Sequence, residues 1–166
     1  MTEAIFHPIA PVFDERSRIL ILGSFPSVKS RETAFFYGHP QNRFWKVVSA
    51  VLDVDCPSTN DEKKRMLLSH RVALWDVIAS CRIEGSSDSS IRSAVPTDLQ
   101  AILDTANIRA VFCNGQTAFR LYARYQEKQT GISAVALPST SPANAAYGLD
   151  RLVEHWRAIL PYLREE

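Results

Sequence analysis

The chain has 166 residues, 46% of them hydrophobic and 22% charged, with a formal net charge of +1. That is the profile of one globular domain, 1–166, large enough to bury a core, and its global charge argues neither for nor against a nucleic-acid partner. No apolar run reaches the roughly 18–20 residues of a membrane span, and the first 18 residues lack the apolar stretch of a secretory signal, so a cytoplasmic location without membrane contact is expected.

In chain order, "RILILGSF" (18–25) is a short continuous apolar run stopped by Gly-Ser and predicts a buried strand. Residues 26–42 predict a long loop, marked by Pro26, Ser27, Ser30, Gly38 and Pro40. "RFWKVVSAVLDV" carries apolar residues at helical spacing, and a second helix is expected after Thr59, which has capping-box spacing to Glu62. "VALWDVIA" (72–79) predicts a second buried strand, and "SCRIEGSSDSSIRSAV" a polar loop. "PTDLQAILDTAN" predicts a helix with Pro and Thr at its start. "IRAVFCN" (108–114) is the third expected strand, followed by the helix "GQTAFRLYARYQEK". "SAVALPS" (133–139) is the fourth strand, and a last helix is expected over roughly 149–163.

Short apolar strands alternating with amphipathic helices predict an α/β fold: a three-layer α/β/α sandwich around a central four-stranded, mostly parallel sheet. Ligands of such sheets bind beyond the carboxyl ends of the strands. The residues there, "GSFPS", "DVIAS", "CNGQ" and "PSTSPAN", are small or polar.

Much chemistry is excluded by absence. There is no GxxxxGK[ST], no GxGxxG, no GxSxG elbow and no HExxH, and no His–Asp pair is evident at a strand end. Cys56, Cys81 and Cys113 form no CxxC pair and are expected as reduced thiols. Neither a metal nor a cofactor is expected. Six basic residues against one acidic residue between Arg16 and Lys46 give a locally basic edge suited to a polyanion. What remains is a pocket of neutral hydrogen-bonding groups and aromatic faces. Such a pocket suits a reaction whose leaving group departs as a stabilised anion, for instance cleavage of an N-glycosidic bond to a base rotated out of the duplex.

Three motifs in order carry a resemblance: "GSFPS", "YGHPQNRFWKV" and "LPSTSPANA". Together they resemble the uracil-DNA glycosylase superfamily over about residues 16 to 160. The first half is similar to the mismatch-specific uracil/thymine branch, where "GINPG" is followed at the same distance by "HPANRFWKV". The whole is more similar to the hypoxanthine-DNA (deoxyinosine) glycosylase branch, with its "GSxP", its "WDV" before a Gly-Ser-x-Asp loop, and its "STSPAN".

The resemblance implies a monofunctional DNA glycosylase acting on double-stranded, or single-stranded, DNA with a deaminated base, as a monomer. The position of the uracil-specific catalyst is Phe25, which cannot orient water, so hypoxanthine is the expected lesion and Asn42 the expected catalytic side chain. Asn42 is also a candidate helix cap, a role compatible with catalysis. Gly23, Ser24, Phe25, Tyr37, Asp76 and Asn114 are implied as the base pocket, with Tyr37 stacking on the base and Asp76 accepting from hypoxanthine N1–H. For Asp76 the alternative is a salt bridge or helix partner, and for Asn114 a loop cap beside Gly115. Ser27, Ser30, Arg43, Ser139, Thr140, Ser141, Pro142, Ala143 and Asn144 are implied as DNA contacts, the last six alternatively forming a simple Ser/Pro turn. Lys29 and Arg31 are further candidates for the DNA backbone. Rival functions are uracil or xanthine excision, non-catalytic binding of damaged DNA, and action on free nucleosides.

Overall fold

The computed structural model describes residues 5–25, 35–82 and 92–164. Seven strands are present among them: β1 (Ile5–Phe6), β2 (Ile19–Gly23), β3 (Val72–Asp76), β4 (Ile78–Arg82), β5 (Arg92–Pro96), β6 (Ala110–Asn114) and β7 (Val135–Leu137). The helices are α1 (Phe44–Leu52), α2 (Asn60–Ser69), α3 (Gln100–Thr105), α4 (Gln116–Tyr125), α5 (Glu127–Thr130) and α6 (Leu149–Trp156), which runs on as a 3-10 helix over Arg157–Leu163.

Strands β3, β2, β6 and β7 pair in that order, all parallel, as the central sheet. Every residue of β2 is buried, because the strand has neighbours on both edges and helices on both faces. Its period-2 alternation splits the core into two. Ile19 and Ile21 face a layer containing Phe44, Val48, Leu67, Leu152 and Trp156 from α1, α2 and α6. Leu20 and Leu22 face Leu99, Ile102, Ala118 and Tyr122, on or beside α3 and α4. The expected three-layer arrangement is therefore present. The chain leaves β2 for β3 on one side and returns to β6 on the other, so the carboxyl ends of β2 and β6 flank the switch in strand order where α/β sheets open a crevice.

Local chemistry explains the helix starts. Thr59 Oγ1 accepts from the Glu62 backbone N–H at 3.1 Å, and Glu62 Oε1 accepts from the Thr59 N–H at 3.3 Å, closing the expected capping box. The chain enters α4 through Gly115 at φ +94°, where a Cβ would come within 3.2 Å of Ser139 Cβ. Only glycine fits that turn without strain.

Three sequence expectations are corrected. The run 72–79 is not one strand: β3 ends at Asp76, and β4 belongs to a second, antiparallel sheet of order β1-β4-β5. Val77 and Ile78 remain in the same core as β2, so hydrophobicity continues through the change of sheet. The expected polar loop contains the end of β4 and most of β5, paired antiparallel, while its Gly-Ser-x-Asp portion lies outside the described residues. Pro96 and Thr97 do not open a helix. Pro96 ends β5, and buried Thr97 donates its hydroxyl to the carbonyls of Asp76 (2.8 Å) and Val77 (3.1 Å). The N-terminal segment, unassigned from sequence, runs antiparallel along β3 through paired hydrogen bonds of 2.9 Å between Val12 and Leu74.

Candidate active site

The carboxyl ends of β2 and β6, the turn before α1 and the loop after β7 bring three polar side chains together. The backbone N–H of Phe44 donates to Asn42 Oδ1 at 3.0 Å. A backbone N–H can only donate, so the atom facing it must be the amide oxygen. The same oxygen lies 2.8 Å from Thr140 Oγ1, which makes the threonine hydroxyl a donor to it. Asn114 is fixed independently. Its Oδ1 accepts from the Thr140 backbone N–H at 3.0 Å, so its Nδ2 is the group that donates to Thr140 Oγ1, also at 3.0 Å. The result is a directed chain, Asn114 to Thr140 to Asn42, with every donor and acceptor assigned. Both acceptor positions of Asn42 Oδ1 are taken. Its Nδ2 makes no hydrogen bond among the described residues and is the group left to act on a ligand.

The N-cap position of α1 is Arg43, not Asn42; Asn42 stands one residue before it and accepts from the N–H of Phe44, the first residue of the helix. Thr140 departs from expectation. It was expected at the phosphate-facing surface, but it is fully buried, with its hydroxyl turned inward between two asparagines. Asn114 closes the end of β6 against the loop after β7 and is half-buried.

Arg43 is also placed unexpectedly. Its guanidinium points into the loop after β7, where Nε donates to the Thr140 carbonyl (3.4 Å), Nη2 to those of Ser141 (2.9 Å) and Asn144 (3.1 Å), and Nη1 to that of Tyr147. The Arg43 backbone N–H adds a bond of 3.1 Å to the Thr140 carbonyl. The arginine is a clamp on the loop, and this geometry turns it away from a phosphate. The loop holds itself as well. Ser139 Oγ accepts from the Ser141 N–H, Ser141 Oγ from the Ala143 N–H, and Asn144 Nδ2 donates to the Ser139 carbonyl. Pro142 and Ala143 form its exposed tip, while Ser139, Ser141 and Asn144 are half-buried.

The remaining pocket residues gather at the end of β2. Buried Ser24 follows Gly23, and Phe25 packs its ring edge-on against His7 at 5.8 Å between centroids. Tyr37, at φ +52°, stacks on Phe44 with centroids 4.1 Å apart and planes 17° from parallel. A Cβ on Gly23 would lie 2.4 Å from Asp76 Oδ1 and 2.8 Å from Tyr37 Oη, so both groups close on the bare face of that glycine. Ser27, Ser30, Lys29 and Arg31 lie outside the described residues. The basic stretch is not one surface, because Arg16 and Arg18 precede β2 and line a concavity with Arg71, Arg109 and Arg164 at the amino ends of the strands, opposite the site.

Sequence reasoning missed His7. A His–Asp pair does stand at a strand end: His7 lies 2.7 Å from Asp76 Oδ2, and both side chains are almost wholly buried. No local signal marks it, since the partners are 69 positions apart and meet because β1, ending at Phe6, pairs antiparallel with β4, which follows Asp76.

Comparison with known proteins gives a consistent picture. The family model described as the uracil DNA glycosylase superfamily matches residues 10–164. A protein of Methanosarcina acetivorans named hypoxanthine DNA glycosylase is 34% identical over 152 residues, covering 89% of this chain and 93% of its own length. A protein of the same name from Methanosarcina barkeri is 34% identical over 108 residues, covering 64% of this chain and 68% of its own. A solution NMR structure of a Methanosarcina acetivorans protein superposes with a TM-score of 0.80 at 31% identity, covering 95% of this chain and 97% of that one.

Proposed function

The chain belongs to the uracil DNA glycosylase superfamily, and from that premise we propose that it excises hypoxanthine from DNA with the amide of Asn42 as the group that assists departure of the base. Membership makes it a DNA glycosylase, a hydrolase of N-glycosyl bonds whose partner is DNA. The choice of hypoxanthine is supported by the names borne by the Methanosarcina relatives and by Phe25, which has no group to activate water.

The observation that carries the reading is the directed hydrogen-bond chain. The Thr140 hydroxyl, itself oriented by Asn114, and the Phe44 backbone N–H occupy Asn42 Oδ1 and leave Nδ2 as a donor. A preorganised donor is most effective where negative charge develops, and here that is the departing purine. The C1′–N9 bond breaks with its electron pair on the base. Water attacks C1′ from the other side, and the proton it sheds is taken up by the freed hypoxanthine or by solvent. Tyr37, its plane held by Phe44, serves as the stacking platform, and base–aromatic stacking contributes about 1–3 kcal/mol. The exposed tip at Pro142 and Ala143 faces the DNA, with Ser139, Ser141 and Asn144 behind it. The preferred substrate is duplex DNA, and the enzyme acts as a monomer in the cytoplasm.

The test is single-turnover release of free base from duplexes and single strands containing hypoxanthine, uracil or xanthine. Hypoxanthine should be released fastest, and Asn42→Ala should lose that activity. Tight binding to the inosine duplex with no release over hours would overturn the reading in favour of a non-catalytic binder.

A further inference from the structure

Within the buried, polar pair of His7 and Asp76, the histidine is the member that the glycosylase motifs leave unexplained, standing 69 positions from the aspartate of the WDV motif. The backbone N–H of Ile9 donates to His7 Nδ1 at 3.1 Å, so that nitrogen is unprotonated and Nε2 carries the hydrogen directed at Asp76 Oδ2, 2.7 Å away. Phe25, Phe36 and Trp75 surround the imidazole with centroids 5.8–6.1 Å from its own. The ring has one orientation and offers one donor. Asp76 therefore has one oxygen committed, and its other oxygen, Oδ1, is turned to the bare face of Gly23 next to Tyr37 Oη.

We propose that His7 is a positioning residue for base specificity: it anchors Asp76 so that Oδ1 alone is presented to the Watson–Crick edge of the extruded base. This rests on the reading of Asp76 as the group that accepts from hypoxanthine N1–H. Hypoxanthine carries a hydrogen at N1 where adenine carries a lone pair. An anchored carboxylate oxygen accepts from the first and repels the second, and a carboxylate free to rotate does neither reliably. The small volume at Gly23 belongs to the same device, since any larger residue would strike both Asp76 and Tyr37. His7 touches no reacting atom. It acts through Asp76.

The experiment compares release of hypoxanthine and of 1-methylhypoxanthine, which lacks the N1 hydrogen, by wild type, His7→Phe, His7→Gln and Asp76→Asn. A site built around a donor rejects an analogue without it, so wild type should prefer hypoxanthine by roughly tenfold or more. In His7→Phe that ratio should collapse, because the ring is kept and the donor removed, and His7→Gln should restore most of it by offering an amide donor. A purely structural role would slow both substrates alike and leave the ratio unchanged. An unchanged ratio in folded His7→Phe overturns the proposal; should that variant not fold, an unchanged ratio in Asp76→Asn does so. Nitrogen-15 shifts of His7 provide a readout independent of activity. Loss of the Nε2–H tautomer with excision intact sinks the positioning pair alone. An intact tautomer with no hypoxanthine release by wild type sinks the function proposed above, and with it the role assigned to Asp76.

Discussion

Thr140 Oγ1 donates to Asn42 Oδ1 at 2.8 Å, joining residues 98 positions apart and filling the second acceptor position of an oxygen already held by the Phe44 N–H. A single hydroxyl both receives from Asn114 and gives to Asn42. Thr140→Val should break the chain at its middle, stranding a donor on Asn114 and an acceptor on Asn42. Unfolding should show a loss of about 1–3 kcal/mol, the range for a buried unsatisfied group, together with a fall in excision rate. Thr140→Ser, which keeps the hydroxyl, should retain most of the rate. Equal rates for the Val and Ser variants would show that the chain has no part in activity.

Asn42→Asp separates two chemical roles that Asn42→Ala cannot. If the amide acts as a donor toward the leaving base, aspartate removes that donor, and both variants should fall by about 10²–10³-fold in single-turnover rate, the effect of losing one preorganised donor. If the side chain instead acted as an acceptor for water, Asn42→Asp would keep or exceed wild-type activity. Burst-free kinetics on an inosine duplex read the difference directly.

Arg43→Met tests whether the guanidinium serves the loop or the DNA. A clamp on carbonyls predicts a drop in melting temperature, with about 1.5–3 kcal/mol for a hydrogen bond made by a charged group. The dependence of DNA affinity on salt should be unchanged, because no phosphate contact is lost. A slope smaller by about one would assign Arg43 to a phosphate after all.

Cysteine chemistry offers a check on the core. Cys56 is exposed, whereas Cys81 and Cys113 are buried. Burial pushes the Cys113 thiol up from 9.0 to about 12. Because the native state holds this proton more tightly than the unfolded chain, its contribution is present below pH 9 and is lost as pH rises from there toward 12. Thiol titration of native protein at pH 8 should therefore modify Cys56 alone, and all three cysteines should react in denaturant. Stability should decline on the alkaline side.

The elements legible in the sequence are those where one physical signal dominates. The strand at Ile19–Gly23 is a continuous apolar run because it is covered on both faces, and Thr59 with Glu62 announces a helix start by local geometry. The β4–β5 pair was illegible because its small sheet leaves residues such as Phe6 and Val95 exposed, so no apolar pattern was required of it. Within the site, residue types were readable and directions were not. Thr140 looks like any surface hydroxyl in a Ser/Pro turn, and only its burial shows that it faces inward. The motif containing Asp76 could be read from sequence, but its partner could not. His7 arrives at the end of β1, a strand of two residues paired with β4 and too short to leave a periodic trace.

Fixing a flexible loop at the moment of docking costs conformational entropy that weakens a complex. The segment from Pro138 to Tyr147 avoids that penalty, being knitted to Arg43, to Trp156 and to itself in the unbound protein. In the proposed docking of this loop on DNA, encounter then needs no ordering of the segment. Its frequency is governed by diffusion and charge, without a wait for a rare loop shape, and the lifetime of the complex becomes the quantity that distinguishes a lesion from undamaged sequence.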